Sequence, residues 1–348
     1  MEKKLSRIAL LSLSLLATPF CSAAVSPSHV AADATWIAYA DLNAIRSSAL
    51  GKDLMEMIRK QQAEKTGGLF GVNAPKVMET IGSITAYGTV STNDTNSANG
   101  TLLIQGTPDL KKIAEALLIQ QSLEKPEEIV ELKDFPFSAY GIEDKSPKAT
   151  KGAQVIIAFP PEPVILISKS KATLTKALEV FSGNGDSLEK APAGALKGMI
   201  KDAGDSLIFG AGTGFSADNM SSKGKPGVVL KLASSGMIAL GENGENTFVR
   251  LMLTASSEDT AGKLMKIVQG MTAAMSLAES TDKQLTEFLN SVVVDKQKET
   301  VSMKLSYSSV RVSEILKNIQ HQSEVRRQKK YSSEKAESKT AAKDGKGE

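Results

Sequence analysis

The sequence predicts an α+β protein of two similar halves, each a mainly antiparallel sheet with helices packed on one face. Three observations predict it. Stretches of helical period and stretches of strand period both occur along the chain between residues 36 and 319. Strands arrive in adjacent pairs ahead of helices, which favours antiparallel pairing over strand–helix–strand crossovers. The order of elements then repeats about half a chain length further on, as expected of an internal duplication.

In the first half the order is a strand at Trp36–Asp41, a helix over Leu42–Lys60, strands over Ile84–Ser91 and Gly100–Gly106, and a helix from Pro108. That helix is the clearest of these. Leu110, Ile113, Ala114, Leu117 and Leu118 fall on one face, with Thr107 as N-cap and Pro108 at its first position. Strands follow at Phe137–Glu143, Val155–Phe159 and Val164–Ile167, the last two split by the stiff turn Pro160-Pro161-Glu162-Pro163. Leu174, Ala177, Leu178 and Phe181 then give a helix over Lys171–Ser182.

The second half begins with a strand over Ser206–Thr213, a helix over Gly227–Ser234 and a strand over Gly236–Glu242. Val249, Leu251 and Leu253 mark the next strand. Ser256 with Asp259 three residues on reads as a capping box, opening a helix whose buried stripe is Ala261, Leu264, Val268, Met271 and Met275. A short helix carries Leu285, Phe288, Leu289 and Val292. Strands from Ser291 and Thr300 follow, the latter with Val301, Met303, Leu305 and Tyr307 alternating against polar residues. A last helix holds Val312, Ile315, Leu316 and Ile319.

Both ends differ from this body. Glu2-Lys3-Lys4-Leu5-Ser6-Arg7, the apolar run Ile8–Ala17 and the small residues Ser22-Ala23-Ala24 form the three parts of a cleavable secretory signal. The apolar run is too short to span a bilayer, which takes about 20 residues. Cleavage after Ala23 or Ala24 would place the mature protein in the periplasm or outside the cell. It would also remove Cys21, the only cysteine, and with it any disulfide or thiolate chemistry. From Gln322 onward apolar residues almost vanish, and the segment Ser332–Glu348 reads as disordered. The predicted organisation is therefore signal 1–24, first half 25–190, second half 191–321 and charged tail 322–348.

Charge excludes one class of partner. The formal net charge is +3, but the signal contributes +2 and residues 324–348 contribute +3, leaving −2 on the body. A slightly acidic body with 5% aromatic residues offers neither the basic face nor the stacking platforms of nucleic-acid binding. With the signal removed, no second long apolar stretch remains, so an integral membrane protein is not expected either.

Searches for catalytic chemistry return chance patterns. The two histidines, His29 and His321, lie at opposite ends without metal-ligand spacing. Gly210-Ala211-Gly212-Thr213-Gly214 follows a strand but does not open a helix, so it reads as close backbone approach rather than a phosphate loop. Lys65-Thr66-Gly67 precedes every Ser-x-x-Lys match, at Ser122, Ser168, Ser187, Ser222, Ser280 and Ser332, the reverse of the penicillin-recognising order. Asp41, Asp202 and Asp205 sit where helix caps or turns need them. Asn93, Asn99 and Asn219 head glycosylation-type triplets that mark polar loops. No catalytic, cofactor-binding or metal-ligating residues are assigned, no cofactor is expected, and the protein reads as a non-enzyme.

Methionine is the one compositional feature left. Met237, Met252, Met265, Met271, Met275 and Met303 crowd the second half, as core filling or as the lining of a cleft beside the helix from Ser257. Signal, two αβ halves and polar tail together resemble uncharacterised exported bacterial proteins of the same layout. The resemblance implies location and architecture and transfers no residue role. The expected function is a non-catalytic envelope or extracellular binding or scaffold protein, with a periplasmic carrier of a lipid or other apolar ligand as the alternative. The expected partner is accordingly a protein or an apolar ligand of the envelope.

Overall fold

The computed structural model describes residues 25–63, 74–89, 99–143, 154–215, 229–278 and 283–320. The signal at 1–24 with Cys21, the tail at 322–348, His321, and the Lys65 triplet all lie outside them. So do Asn93, Asn219, Ser222, Ser280, Ser332 and the side chains of Met275 and Leu285.

The class is α+β, and the strands are antiparallel throughout. Twelve form one continuous sheet: β1 (Trp36–Asp41), β2 (Ile81–Thr89), β3 (Asn99–Gly106), β4 (Ile129–Glu131), β5 (Ala139–Glu143), β6 (Gln154–Ala158), β7 (Val164–Ser168), β8 (Ile208–Thr213), β9 (Ala233–Asn243), β10 (Asn246–Ala255), β11 (Val293–Gln297) and β12 (Thr300–Ser308). Their spatial order is β11-β12-β10-β9-β8-β1-β2-β3-β7-β6-β5-β4. The expected two sheets are thus joined edge to edge. The joint is β1 against β8, with Trp36 opposite Gly212, Ala38 opposite Gly210 and Ala40 opposite Ile208. On one side the order is β1-β2-β3-β7-β6, with the hairpin β5-β4 beyond. On the other it is β8-β9-β10-β12-β11.

The helices among the described residues are α1 (Leu42–Ser47), α2 (Ala49–Ala63), α3 (Ala74–Thr80), α4 (Pro108–Glu124), α5 (Lys171–Phe181), α6 (Ala195–Ala203), α7 (Glu258–Ala278), α8 (Lys283–Asn290) and α9 (309–320). Several differ from expectation for local reasons. The helix read over Leu42–Lys60 breaks at Ser48, whose extended backbone separates α1 from α2. The helix read to Ser234 stops earlier, because Ala233 already pairs with Ala255 at the start of β9, with Ser234 in a register shift beside it. The α7 cap is Ser257 rather than Ser256: its Oγ accepts from the Thr260 amide at 3.2 Å. α3, α6 and β4 were not foreseen; α3 and β4 are seven residues or fewer and show little period, whereas α6 does carry the helical spacing Leu196, Met199, Ile200 and Ala203, which was passed over.

Helices cover both faces, because the strand residues near the centre are apolar on both sides. On the back face α5 (Leu174, Ala177, Val180) and α6 (Leu196, Met199, Ile200, Ala203) pack on Ile37, Tyr39, Leu103, Leu166, Phe209 and Met237. The N-terminal segment joins this core through Val30 and Ala31, the latter bridging to Ser187. On the front face α4 sets Leu110 and Leu118 into a cluster with Ile129, Tyr140, Phe159 and Ile165. At the other end α7 sets Ala261 and Leu264 on Leu253 and Val301.

Two contacts lock α2 to the second half. Glu242 of β9 accepts the first amides of the helix, Ala49 at 2.9 Å and Leu50 at 2.7 Å, and so caps it from 193 positions away. Asp53 accepts from Ser313 Oγ and from Lys317 Nζ of α9. Those two donors hold its carboxyl below the usual aspartate range. Within the first half, buried Asp41 caps α1 by accepting from the Ala44 amide at 2.8 Å, the role read from sequence.

His29 ends the 3-10 turn Pro27–His29, with its ring 4.6 Å from that of Phe181 on α5. Burial holds its imidazole below the usual histidine range, opposed in part by Glu189.

Two outcomes follow. Glu242→Ala is expected to lower stability by about 1 kcal/mol, a typical cap loss, in urea denaturation; an unchanged midpoint contradicts the cap. His29 favours folding only while neutral, so its contribution is complete above the unfolded-state value and is lost as pH falls through the lowered folded value. Stability should therefore drop on acidification from about pH 7 to 5, and His29→Phe should flatten that drop. Equal slopes for the two proteins would contradict it.

Candidate functional site

The centre of the front face is an apolar strip that the described helices leave open. Register places two continuous rows across seven strands. One runs Leu102, Ala86, Ala38, Gly210, Ile238, Leu251 and Met303. The next runs Ile104, Ile84, Ala40, Ile208, Leu240, Val249 and Leu305. Their outer members pack under helices: Ile84 and Ile104 join the α4 cluster, and Leu251 joins the α7 cluster. Of the middle members, Ala40 also joins the α4 cluster, but Ile238 is 53% exposed and Ile208 41%, and Ala38 on the adjoining strand β1 is exposed too.

Aromatic rings bound one end of the strip, and glycines make room for them. A Cβ on Gly100 would sit 2.8 Å from the Trp36 ring. A Cβ on Gly212 would sit 2.8 Å from the ring of Phe215. The glycines of β8 are therefore sites of close approach, as read from sequence, and Phe215 just beyond the strand supplies the ring that ends the strip. Glu242, already bound to the first turn of α2, stands at the other end. From β2 to β10 is four strand spacings, about 19 Å at 4.8 Å each.

The sequence reading missed this strip. Its signal was present: β1 and β8 are apolar or glycine at five of six positions, and β9 is so without a break from Gly236 to Gly241, the pattern of strands covered on both faces. Here only the back face is fully covered.

The methionines whose side chains are described do not assemble into one cleft. Met237 and Met252 face the back core, whereas Met265 packs with the α7 cluster. Met271, expected in the buried stripe, is 40% exposed, and Ile319 of the last helix is also exposed. A shallow hollow of about 340 Å³ does open between α7, α8 and β11, lined by Gln269, Thr272, Ala273, Leu289, Asn290, Val292 and Val294. Among the residues whose side chains are described, no methionine lines it. Among the described residues no group of three or more histidine, cysteine or acidic side chains could hold a metal ion. No described helix is long and apolar enough to cross a membrane.

If the strip is solvent-open, Ile208→Ser and Ile238→Ser should each change stability by less than about 1 kcal/mol. Leu264→Ala, under α7, should cost about 2–5 kcal/mol. Urea titrations of the three proteins read this directly; large losses at 208 and 238 would mean the strip is covered.

No protein-family model matches the chain, and no curated protein does. Among solved structures it is similar to crystal form IV of TP0453, at TM-score 0.44 and 8% identity over 83% of this chain and 95% of that one. Crystal form III gives TM-score 0.45 and 8% identity over 83% and 96%, and crystal form I gives 0.41 and 10% over 84% and 97%.

Proposed function

We propose that this is an exported, non-catalytic binding or scaffold protein whose partner docks on the open front strip. The observation that carries the reading is the exposure of Ile208 and Ile238 at the middle of two apolar rows seven strands long. Scattered exposed apolar residues need no explanation, but a contiguous apolar surface in register marks an interaction site. The 19 Å between β2 and β10 suits one α-helix, about 10–12 Å across with its side chains. The partner is accordingly a protein that presents an amphipathic helix to the groove between the α4 and α7 layers.

Export is part of the same proposal and rests on the tripartite N-terminus and the cysteine-free remainder of the chain. Internal duplication is also proposed. It is supported by the matching strand orders β1-β2-β3-β7-β6 and β8-β9-β10-β12-β11 and by the antiparallel pairing of their first strands.

A photo-crosslinking residue at position 238, expressed in the native host, tests the docking site. A discrete protein adduct that disappears with Ile208→Asp is expected. A lipid adduct would move the reading to an apolar-ligand carrier, and the absence of any adduct would refute it. The N-terminus of the purified protein tests export: it should be Ala24 or Val25, and an uncleaved cytoplasmic chain contradicts the proposal.

A further inference from the structure

We propose that the free edge of β11 is a second docking site, apart from the front strip. It takes an extended segment of another protein as one more strand of the sheet, and that segment carries a basic residue followed by two apolar ones. β11 ends the sheet on the side of the second half. Lys298 and Glu299 form the two-residue loop of its hairpin with β12, with Lys298 at φ 52°. Such a loop is closed by a hydrogen-bonded pair, here Gln297 with Thr300. Bonded and non-bonded pairs then alternate, so Asp295 and Val293 bond across to Ser302 and Lys304. The backbone groups of Val294 and Lys296 point the other way, out of the sheet.

Local contacts guard this outer row only in part. The Val292 N–H donates to the Leu289 carbonyl at 3.2 Å, and the Lys296 N–H donates to Asp295 Oδ1 at 2.8 Å. Between them the Val294 N–H has no partner among the described residues. The far edge of the sheet is different. There β4 is three residues long, and its Ile129 N–H donates back to the Lys125 carbonyl at the end of α4. An unpaired edge is a template for strand addition, and β11 is the one that offers it.

Side chains along β11 select the segment. Val293 and Asp295 stand on the back face, Val293 62% exposed and Asp295 exposed as well. In an antiparallel addition each would lie in a non-bonded pair, where opposed side chains come closest. A lysine or arginine therefore suits the place opposite Asp295, and a valine or isoleucine the place opposite Val293. The residue opposite Val294 falls on the front face, beside the hollow that Val292 and Val294 share with α7 and α8. Pockets for alternate side chains are what give strand addition its specificity. Running antiparallel, the segment reads basic, apolar, apolar from its N-terminus. β11 of a second copy does not fit: with its Lys296 opposite Asp295, Gln297 and Lys298 follow where apolar residues are needed. The incoming cation also draws the Asp295 carboxylate away from the Lys296 amide, which then joins the new ladder.

The test titrates the purified protein with the acetylated, amidated peptide Thr-Thr-Lys-Val-Val-Thr-Thr, followed by calorimetry and amide NMR. Binding with Kd of about 1 mM or tighter is expected, with the amide signals of Val294 and Lys296 shifting. The Val294 amide should exchange with solvent at least about tenfold more slowly in the complex. Glutamate in place of the peptide lysine should weaken binding about fivefold or more, and Asp295→Ala should erase that preference. Val294→Pro should abolish binding yet melt with the parent, since proline is tolerated where the N–H faces out of the sheet. The proposal is overturned if the peptide does not bind, if the shifted amides lie elsewhere, or if the parent binds both peptides equally. It is overturned equally if Val294→Pro still binds, or if its melting temperature falls sharply, which would mean that this amide is used within the fold.

Discussion

The rest of the structure depends on the antiparallel pairing of β1 with β8. Each strand is the first of its half, and each is short and rich in small residues: Trp-Ile-Ala-Tyr-Ala-Asp and Ile-Phe-Gly-Ala-Gly-Thr. Without that pairing each half would present a bare apolar edge to water. With it, twelve strands share one ladder, and the back-face core runs unbroken from Leu166 through Ile37 and Phe209 to Met237. α5 and α6 close that face. The pairing also sets what happens in front. Helices approach from either end of the sheet, each over its own half, and the seam between them keeps small or exposed apolar residues.

Stability and the open surface are thus two results of one constraint. The back core must cross the seam, so β1, β8 and β9 carry Ile37, Tyr39, Phe209, Met237 and Ala239 on one side. The other side of the same strands stays apolar without being covered. Remote polar contacts hold the flanking helices in place around it. Glu242 caps α2, and Asp53 ties α2 to α9. Such charge-assisted bonds are individually modest. They serve to fix the helices at the rim rather than to carry the fold.

Much of the fold was legible, for specific reasons. α4 and α5 could be read because their stripes repeat at 3.6 residues over 11 residues or more. The hairpin β6-β7 could be read because Pro160, Pro161 and Pro163 interrupt two apolar runs. The break at Ser48 was missed although Ser48 is an N-cap type, its hydroxyl accepting from the Gly51 amide at 2.9 Å, because the apolar period runs on across it. The joining of two sheets was not legible either, because nothing local in β1 says which strand lies on its free edge. The candidate site followed the same limit. Ile208 and Ile238 lie in strands that the sequence does show, and only the placement of α4 and α7 leaves them uncovered.

The central claim is that the middle of the front face is open in the free protein. Soluble paramagnetic relaxation of isoleucine methyl signals tests it most directly. The methyls of Ile208 and Ile238 should broaden strongly, while those of Ile37 and Ile165, in the two covered cores, stay sharp. If Ile208 and Ile238 are protected as fully as Ile37, the strip is covered by the chain itself, and the account of its function is wrong.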